Sequence, residues 1–204
     1  TDAILDGATV REGLTSPVFW ILVTVLFAQS IAQNGALTHM AALLTDRGVP
    51  ESGAALALSA MGAASLLGRL TTGWLLDRFF APRVGFCLLS IAAVGTYLLA
   101  GAQSLAVGVI AAALIGFGMG AEADVTPYIL SRYLGLRSFA LLYGFTWTAY
   151  AIAGAVGPIL MGRAFDATGS YTTLLTQLAL GTMLIAALML LMPGYERAFQ
   201  RTAL

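Results

Sequence analysis

The sequence predicts an all-α membrane domain of six spanning helices, and three observations predict it. Of 204 residues, 59% are hydrophobic and only 10% are charged, against about 25% charged in an ordinary soluble domain. Mean hydropathy is +0.87. The apolar residues gather into six runs, each with the ~20 residues a helix needs to cross the hydrocarbon core, and polar breakers separate them.

Residues 1–16 are mixed polar and read as a linker on the cytoplasmic side. They lack the basic start and short apolar core of a signal peptide. The chain begins at Thr1 and not at Met, so it is expected to be part of something longer. The six-helix domain is expected over 17–193. Its first span runs from about Pro17 to Leu44, with Pro17 in the first turn and Ser16 before it as a cap. Gly48 and Pro50 break it. The second runs from about Ser52 to Leu76 and stops at Asp77-Arg78. The third covers about Pro82 to Ala100, the fourth Leu105 to Tyr133, and the fifth Arg137 to Phe165. The sixth covers about Tyr171 to Met192, and Pro193-Gly194 closes it. Residues 194–204 form a cytoplasmic tail. Phe19-Trp20, Phe79-Phe80, Tyr171 and Tyr195 sit near span ends, as interfacial belts require.

Every basic residue is an arginine, and the arginines orient the chain. Arg11, Arg78, Arg83, Arg132, Arg137, Arg197 and Arg201 fall on the side of the termini. Arg47 and Arg163 fall on the other. The positive-inside rule makes the first side cytoplasmic, in a multi-pass plasma membrane of the bacterial inner-membrane kind.

Composition also excludes. Net charge is zero, so no nucleic-acid partner is implied. Cys87 and His39 are the single cysteine and histidine, which removes a disulfide within these 204 residues and two-histidine zinc sites. No cofactor is expected. No HExxH or Gly-x-Gly-Asp pattern suggests an intramembrane enzyme. Gly116-x-Gly118-x-Gly120 follows no strand and lies inside an apolar run, so it is not a nucleotide loop. Gly108, Ala112, Gly116, Gly120 and Asp124 recur every four residues, a small-residue stripe that lets a neighbouring backbone approach.

Three ionisable groups interrupt the spans: Arg69, Glu122 and Asp124. A charge at a helix centre in the bilayer costs at least ~2.5–3.5 kcal/mol, so such residues face a cavity, a partner or a substrate. Arg69 lies about 12 Å and Glu122 about 15 Å from the inner end, at 1.5 Å per residue. Arginine offers a carboxylate a two-donor fork; the bland alternative is a stem snorkelling to the interface. Glu122 and Asp124 are two residues apart and cannot share a helix face. One is a candidate partner of Arg69, and either is a candidate proton carrier. The alternative is a structural ion pair.

The first span also carries Gln29, Ser30, Gln33, Asn34, Thr38 and His39. They read as the wall of a hydrated cavity, or as interhelical hydrogen bonds, which use the same residue types. Tyr143, Thr146, Trp147 and Tyr150 share one face of the fifth span, lining a ligand or packing.

The stretch Gly68-Arg69-Leu70-Thr71-Thr72-Gly73-Trp74-Leu75-Leu76-Asp77-Arg78-Phe79, with Arg83 beyond, resembles the signature between the second and third helices of each half of major facilitator superfamily transporters. Phe80 stands where a glycine is usual, and Pro82 replaces a basic residue. Gly118-x-Gly120-Ala121-Glu122-x-Asp124 through Ser131-Arg132-Tyr133 resembles the tenth helix of monocarboxylate-porter-like members. Gly157-Pro158, Gly162-Arg163 and Asp166 resemble the eleventh. The resemblance covers nearly the whole chain in order. It implies the C-terminal six-helix half of a twelve-helix secondary carrier, built as a three-plus-three repeat of spans over about 17–101 and 105–193. Its partners would be the N-terminal half, the lipid bilayer, a small organic anion and, as candidate coupling ion, protons.

The monocarboxylate and oxalate–formate branches carry a carboxylate-binding arginine four residues before a glycine, as Arg69 stands before Gly73. The resemblance therefore implies substrate binding at Arg69, and the reading of the helix faces adds Ser30, Gln33, Asn34, Tyr143 and Trp147 as candidates to line the site. It implies gating by Gly73, Asp77, Arg78, Arg83 and Arg132 through charge pairs at helix ends. Monocarboxylate transporters often place an aspartate where Ser65 stands here, which leaves Glu122 or Asp124 as the coupling carboxyl. The oxalate-type lysine of the eleventh helix is missing. The expected activity is alternating-access transport of small organic anions, chiefly monocarboxylates. The rivals are a six-span oligomeric channel and a half-carrier that transports nothing alone.

Overall fold

A computed structural model describes residues 6–195. Arg197, Arg201, residues 1–5 and most of the expected tail lie outside the described residues. Seven α-helices follow in chain order: α1 Val10–Thr15, α2 Pro17–Asp46, α3 Glu51–Leu76, α4 Ala81–Ala100, α5 Leu105–Leu134, α6 Phe139–Thr168 and α7 Thr172–Ala186. A 3-10 helix, Ala187–Leu191, extends the last. Six of these helices are long and apolar enough to span a membrane, and among the described residues there is no strand.

The helices fall where apolar runs meet breakers, within a few residues of expectation. Ser16 stands at the N-cap of α2, but its side chain makes no capping bond. Pro17, which has no N–H to satisfy, starts the helix instead. The sixth span, Thr172–Leu191, lies within a residue of its expected limits; its α-helix stops at Ala186, five residues of 3-10 winding follow, and Pro193 lies beyond.

The described part of the expected linker, residues 6–16, packs on the helical domain. A capping box between Thr9 and Glu12 opens α1, satisfying two orphan donors at once. The Ala8 amide donates to the Leu134 carbonyl at 2.8 Å, and the Leu136 amide to Asp6 at 2.9 Å. Gly7 and Gly135 pair as an isolated bridge. Both have positive φ, 142° and 71°, and a Cβ on Gly135 would meet the Gly7 Cα at 2.5 Å. Only glycine fits there.

Within the bundle, α3 packs along α5 and α2 along α6, while α4 fills the space against α5 and α7. Exchanging α2, α3, α4 for α5, α6, α7 maps the first of these pairings onto the second. Small residues make both close. Backbone of α3 at Met61 and Ser65 lies against Gly116 and Gly120, and Gly68 meets the Phe117 carbonyl. Across the bundle, Gly157 of α6 meets Ile31 and Gly35 of α2. The outer helices α3 and α6 bury only 28% and 17% of their apolar windows, against 56% for α2. Their outward faces, with Leu67, Leu70, Trp74, Phe145 and Trp147, stay exposed.

Candidate functional site

The helices α3 and α5 run parallel, so their contacts advance in step. Met61 lies opposite Gly116 and Ser65 opposite Gly120. One further turn on each helix brings Arg69 opposite Asp124. Nε of Arg69 lies 3.9 Å from Oδ2 of Asp124, with the side chains 56% and 39% exposed. This is the one ion pair among the described residues, and Arg69 donates no hydrogen bond there. The stripe of small residues thus ends in an acidic residue aimed at a cation.

Glu122 points the other way. Two residues on an α-helix turn the side chain by about 200°, and the second carboxylate enters the space between α2, α5 and α6, where it is buried. Its Oε1 accepts from Nε2 of Gln33 at 2.6 Å. The same Gln33 amide reaches the Tyr150 hydroxyl at 2.5 Å. Gln29 donates to Gln33 at 3.4 Å. The other oxygen, Oε2, is buried with no partner, an unusual state for a polar atom. A crevice of about 220 Å³, lined in part by Glu122, Ala123, Thr126, Trp147 and Tyr150, opens beside it. No cation approaches Glu122 within ion-pair distance among the described residues.

The polar row of the first span divides. Ser30 is fully buried, and its hydroxyl donates to the Tyr150 carbonyl at 2.8 Å. Gln29 and Gln33 are buried too. Ser30 and Gln33 bond across to α6 and α5, while Gln29 bonds within α2 to Gln33, so all three are engaged inside the bundle. The cause is the close α2–α6 approach that Gly157 permits. Asn34 remains partly exposed, turned back on Ser30 at 3.0 Å. Nδ1 of His39 lies 3.4 Å from the Gly35 carbonyl, near the Tyr171 ring. On α6, Tyr143, Trp147 and Tyr150 form a ladder of edge-to-face rings continuing the Phe139–Tyr143 stack. Thr146 is buried beneath it and bonds the Tyr143 carbonyl.

The expected gating charges do not pair with one another. Arg78 stacks over Trp74 at 4.3 Å, Arg83 over Phe80 at 5.9 Å, and Arg132 over Tyr128 at 5.3 Å. Arg132 also donates to the Tyr128 hydroxyl at 3.3 Å. Asp77 forms the C-cap of α3, and Gly73 has open space around it. An aromatic ring near each arginine offers its guanidinium a face that no acid supplies.

One residue escaped the sequence reading. Arg47, in the turn after α2, donates at 2.9 Å to the carbonyls of Leu99, Ala100 and Ala102, and at 3.0 Å to the Thr172 hydroxyl. It caps α4 and ties that helix to the start of α7. The only available signal was an arginine in a short turn between apolar helices.

Comparison with known proteins identifies the family and the fold. A family model described as Major Facilitator Superfamily matches residues 5–158. Human monocarboxylate transporter 12 is 28% identical over 200 residues, covering 92% of this chain and 36% of that protein. Monocarboxylate transporter 13 of Bos taurus is 30% identical over 136 residues, covering 66% and 32%. A crystal structure of the E. coli fucose:proton symporter FucP matches with a TM-score of 0.71 at 21% identity, over 89% of this chain and 45% of that one. The chain thus spans about a third of the length of these curated relatives and under half of the structural neighbour.

Proposed function

Because the chain belongs to the major facilitator superfamily, we propose that it is the C-terminal six-helix half of a secondary carrier that moves small monocarboxylic acids by alternating access. The observation that carries this reading is Arg69, a half-exposed guanidinium on a membrane-spanning helix. A charge held there needs a purpose, and a carboxylate fits its donor fork. Relatives named as monocarboxylate transporters support the same substrate class.

The exposed faces of α3 and α6 carry Arg69 and Trp147. Such faces suit a second six-helix half enclosing a site near the midplane, with Asn34, Tyr143 and Trp147 beside the substrate. Rocking of the two halves would then expose that site alternately. Among the described residues, five arginines (Arg11, Arg78, Arg83, Arg132 and Arg137) lie at the end of the termini and two (Arg47 and Arg163) at the other. That bias supports cytoplasmic termini. Stacked as they are, Arg78, Arg83 and Arg132 would gate the cytoplasmic side by exchanging aromatic partners.

Of the two candidate coupling groups, Glu122 is preferred. Asp124 already faces a cation, whereas Glu122 is buried without one. A neutral carboxyl bonded to Gln33 suits that pocket, and a charged one does not. Proton uptake and release at Glu122 would therefore change how α2, α5 and α6 pack.

The test is uptake of labelled lactate and pyruvate by the full-length parent protein in proteoliposomes, beside Arg69→Gln. Saturable uptake lost in the variant is expected. Uptake that survives it reduces Arg69 to a snorkelling residue, and no uptake by the parent removes the substrate class.

A further inference from the structure

We infer that the groove between the start of α4 and the end of the sixth span binds an anionic phospholipid, its phosphate on Arg83, in the leaflet on the side of the termini. The inference goes beyond the transport reading and takes one step from it, the assignment of the outward faces of α3 and α6 to a second half.

The groove measures about 690 Å³ and is lined by Phe80, Arg83, Leu190, Met192 and Gly194. Its walls flank two helices long and apolar enough to span a membrane. Neither wall belongs to α3 or α6, so the groove opens to lipid when those faces are covered. Arg83 lies in the first turn of α4, and Gly194 lies just beyond the last residue of the sixth span, Leu191. Both therefore stand at headgroup depth. Below Arg83, the exposed residues Cys87, Val94 and Tyr97 continue one face of α4, at helical spacing. Leu190 and Leu191 are exposed on the opposite wall. A phospholipid has the same plan, a charged end above and apolar chains beneath.

Charge selects the lipid. Arg83 joins no ion pair among the described residues, where Arg69 and Asp124 form the only one. Its guanidinium lies over the Phe80 ring at 5.9 Å, a contact that occupies a face and leaves the N–H edges without an acceptor. The first turn of α4 carries no acid, so the arginine adds to the positive end of the helix dipole instead of being offset there. The rim thus lacks one negative charge. A phosphodiester supplies it and matches the donor fork. A zwitterionic lipid would bring its own ammonium beside the arginine, and an anionic lipid does not. The other large groove, between α2 and α7, has no charged residue in its lining and gives an anionic headgroup no advantage.

The walls are held in place. Phe80 packs edge-on against Tyr195 at 5.0 Å, and Tyr195 against Tyr133 at 5.1 Å. The Ala81 amide donates to the Tyr195 hydroxyl at 3.3 Å, and the Tyr133 hydroxyl donates to the Pro193 carbonyl. Little side-chain freedom remains to be lost when a lipid enters.

The experiment places the full-length parent protein in nanodiscs of phosphatidylglycerol and phosphatidylethanolamine in equal amounts, and native mass spectrometry reads the lipid that stays bound. We expect phosphatidylglycerol to be retained about fivefold over phosphatidylethanolamine, the gain that one arginine gives near an anionic surface. Arg83→Gln should abolish the preference. Arg11→Gln, which removes a cation at the same end but outside the groove, should leave it. Gly194→Phe fills the groove and keeps the charge, and it should lower the phosphatidylglycerol retained. Gly194 has open space around it, so this variant keeps the test alive should Arg83→Gln fail to insert. A parent protein that retains no lipid, or both lipids equally, would overturn the inference. So would a preference that survives Arg83→Gln or Gly194→Phe, or one that falls equally in Arg11→Gln, because the attraction would then be diffuse. Uptake is not the readout, so the transport reading stands or falls separately.

Discussion

Two carboxylates two residues apart on α5 live in opposite surroundings, and the contrast organises the molecule. Asp124 is half-exposed beside Arg69 of α3, with no hydrogen bond between them. Glu122 is buried, bonded to Gln33 and close to Tyr150 of the opposite helix pair. The open face offers charges to something that arrives from outside. The closed face buries a carboxyl among α2, α5 and α6, the site proposed above for the proton. One helix serves both because its α3 side is glycine, which allows contact without side chains, and its other side carries side chains that interlock.

The comparison can be broken at its foundation by Gly120→Leu. A side chain there strikes Ser65 backbone, pushing α3 from α5 and Arg69 from Asp124. Overpacking of this kind costs about 3 kcal/mol, and we expect lower thermal stability and loss of monodisperse protein in detergent. Glu122→Gln tests the closed face. The amide can keep its partners, so the protein should remain folded, but gradient-driven accumulation should fall by about tenfold while exchange without a gradient persists, since ~1.4 kcal/mol is a factor of ten. Unchanged pH dependence would remove Glu122 from coupling. Arg69→Lys tests the open face more gently. It keeps the charge and removes the fork, so KM should rise by about fivefold, near 1 kcal/mol, with stability unaltered.

Two further changes sharpen the contrast by sparing both faces. Arg47→Ala strips four hydrogen bonds from the ends of α4 and α7. It should lower stability by about 2 kcal/mol, read as a shift in Tm, without altering substrate preference. The smallest effect belongs to Glu12, in the capping box of α1. Its bonds to Thr9 hold its carboxyl below the ordinary range. Its contribution is therefore present above the unfolded value and is lost as pH falls through the folded one. Hydrogen exchange in α1 should quicken below about pH 4, under the ordinary carboxyl range, and Glu12→Gln should abolish that dependence.

The spans themselves were legible because burial in a membrane is written one residue at a time. Pro17, Pro50, Asp77 and Pro193 mark limits that the helices respect within a few residues. The small-residue stripe ending at Asp124 was legible too, and the opposed faces of Glu122 and Asp124 follow from helical rotation alone. The partners were not. Nothing in the sequence says that α3 and α5 run in parallel register, which is what selects Asp124 for Arg69. Nor does it place Gln33 against Glu122, since 89 residues separate them.

The sequence by itself thus determined the number of spanning helices, their approximate limits and the presence of three charges that a bilayer penalises, because hydropathy and helical period are local. Only the tertiary structure decided which charge is paired, which is buried and which arginine is a clamp. Those outcomes depend on the register between helices distant in the chain, and register is set by packing, where a glycine contact on one turn dictates which side chains meet on the next.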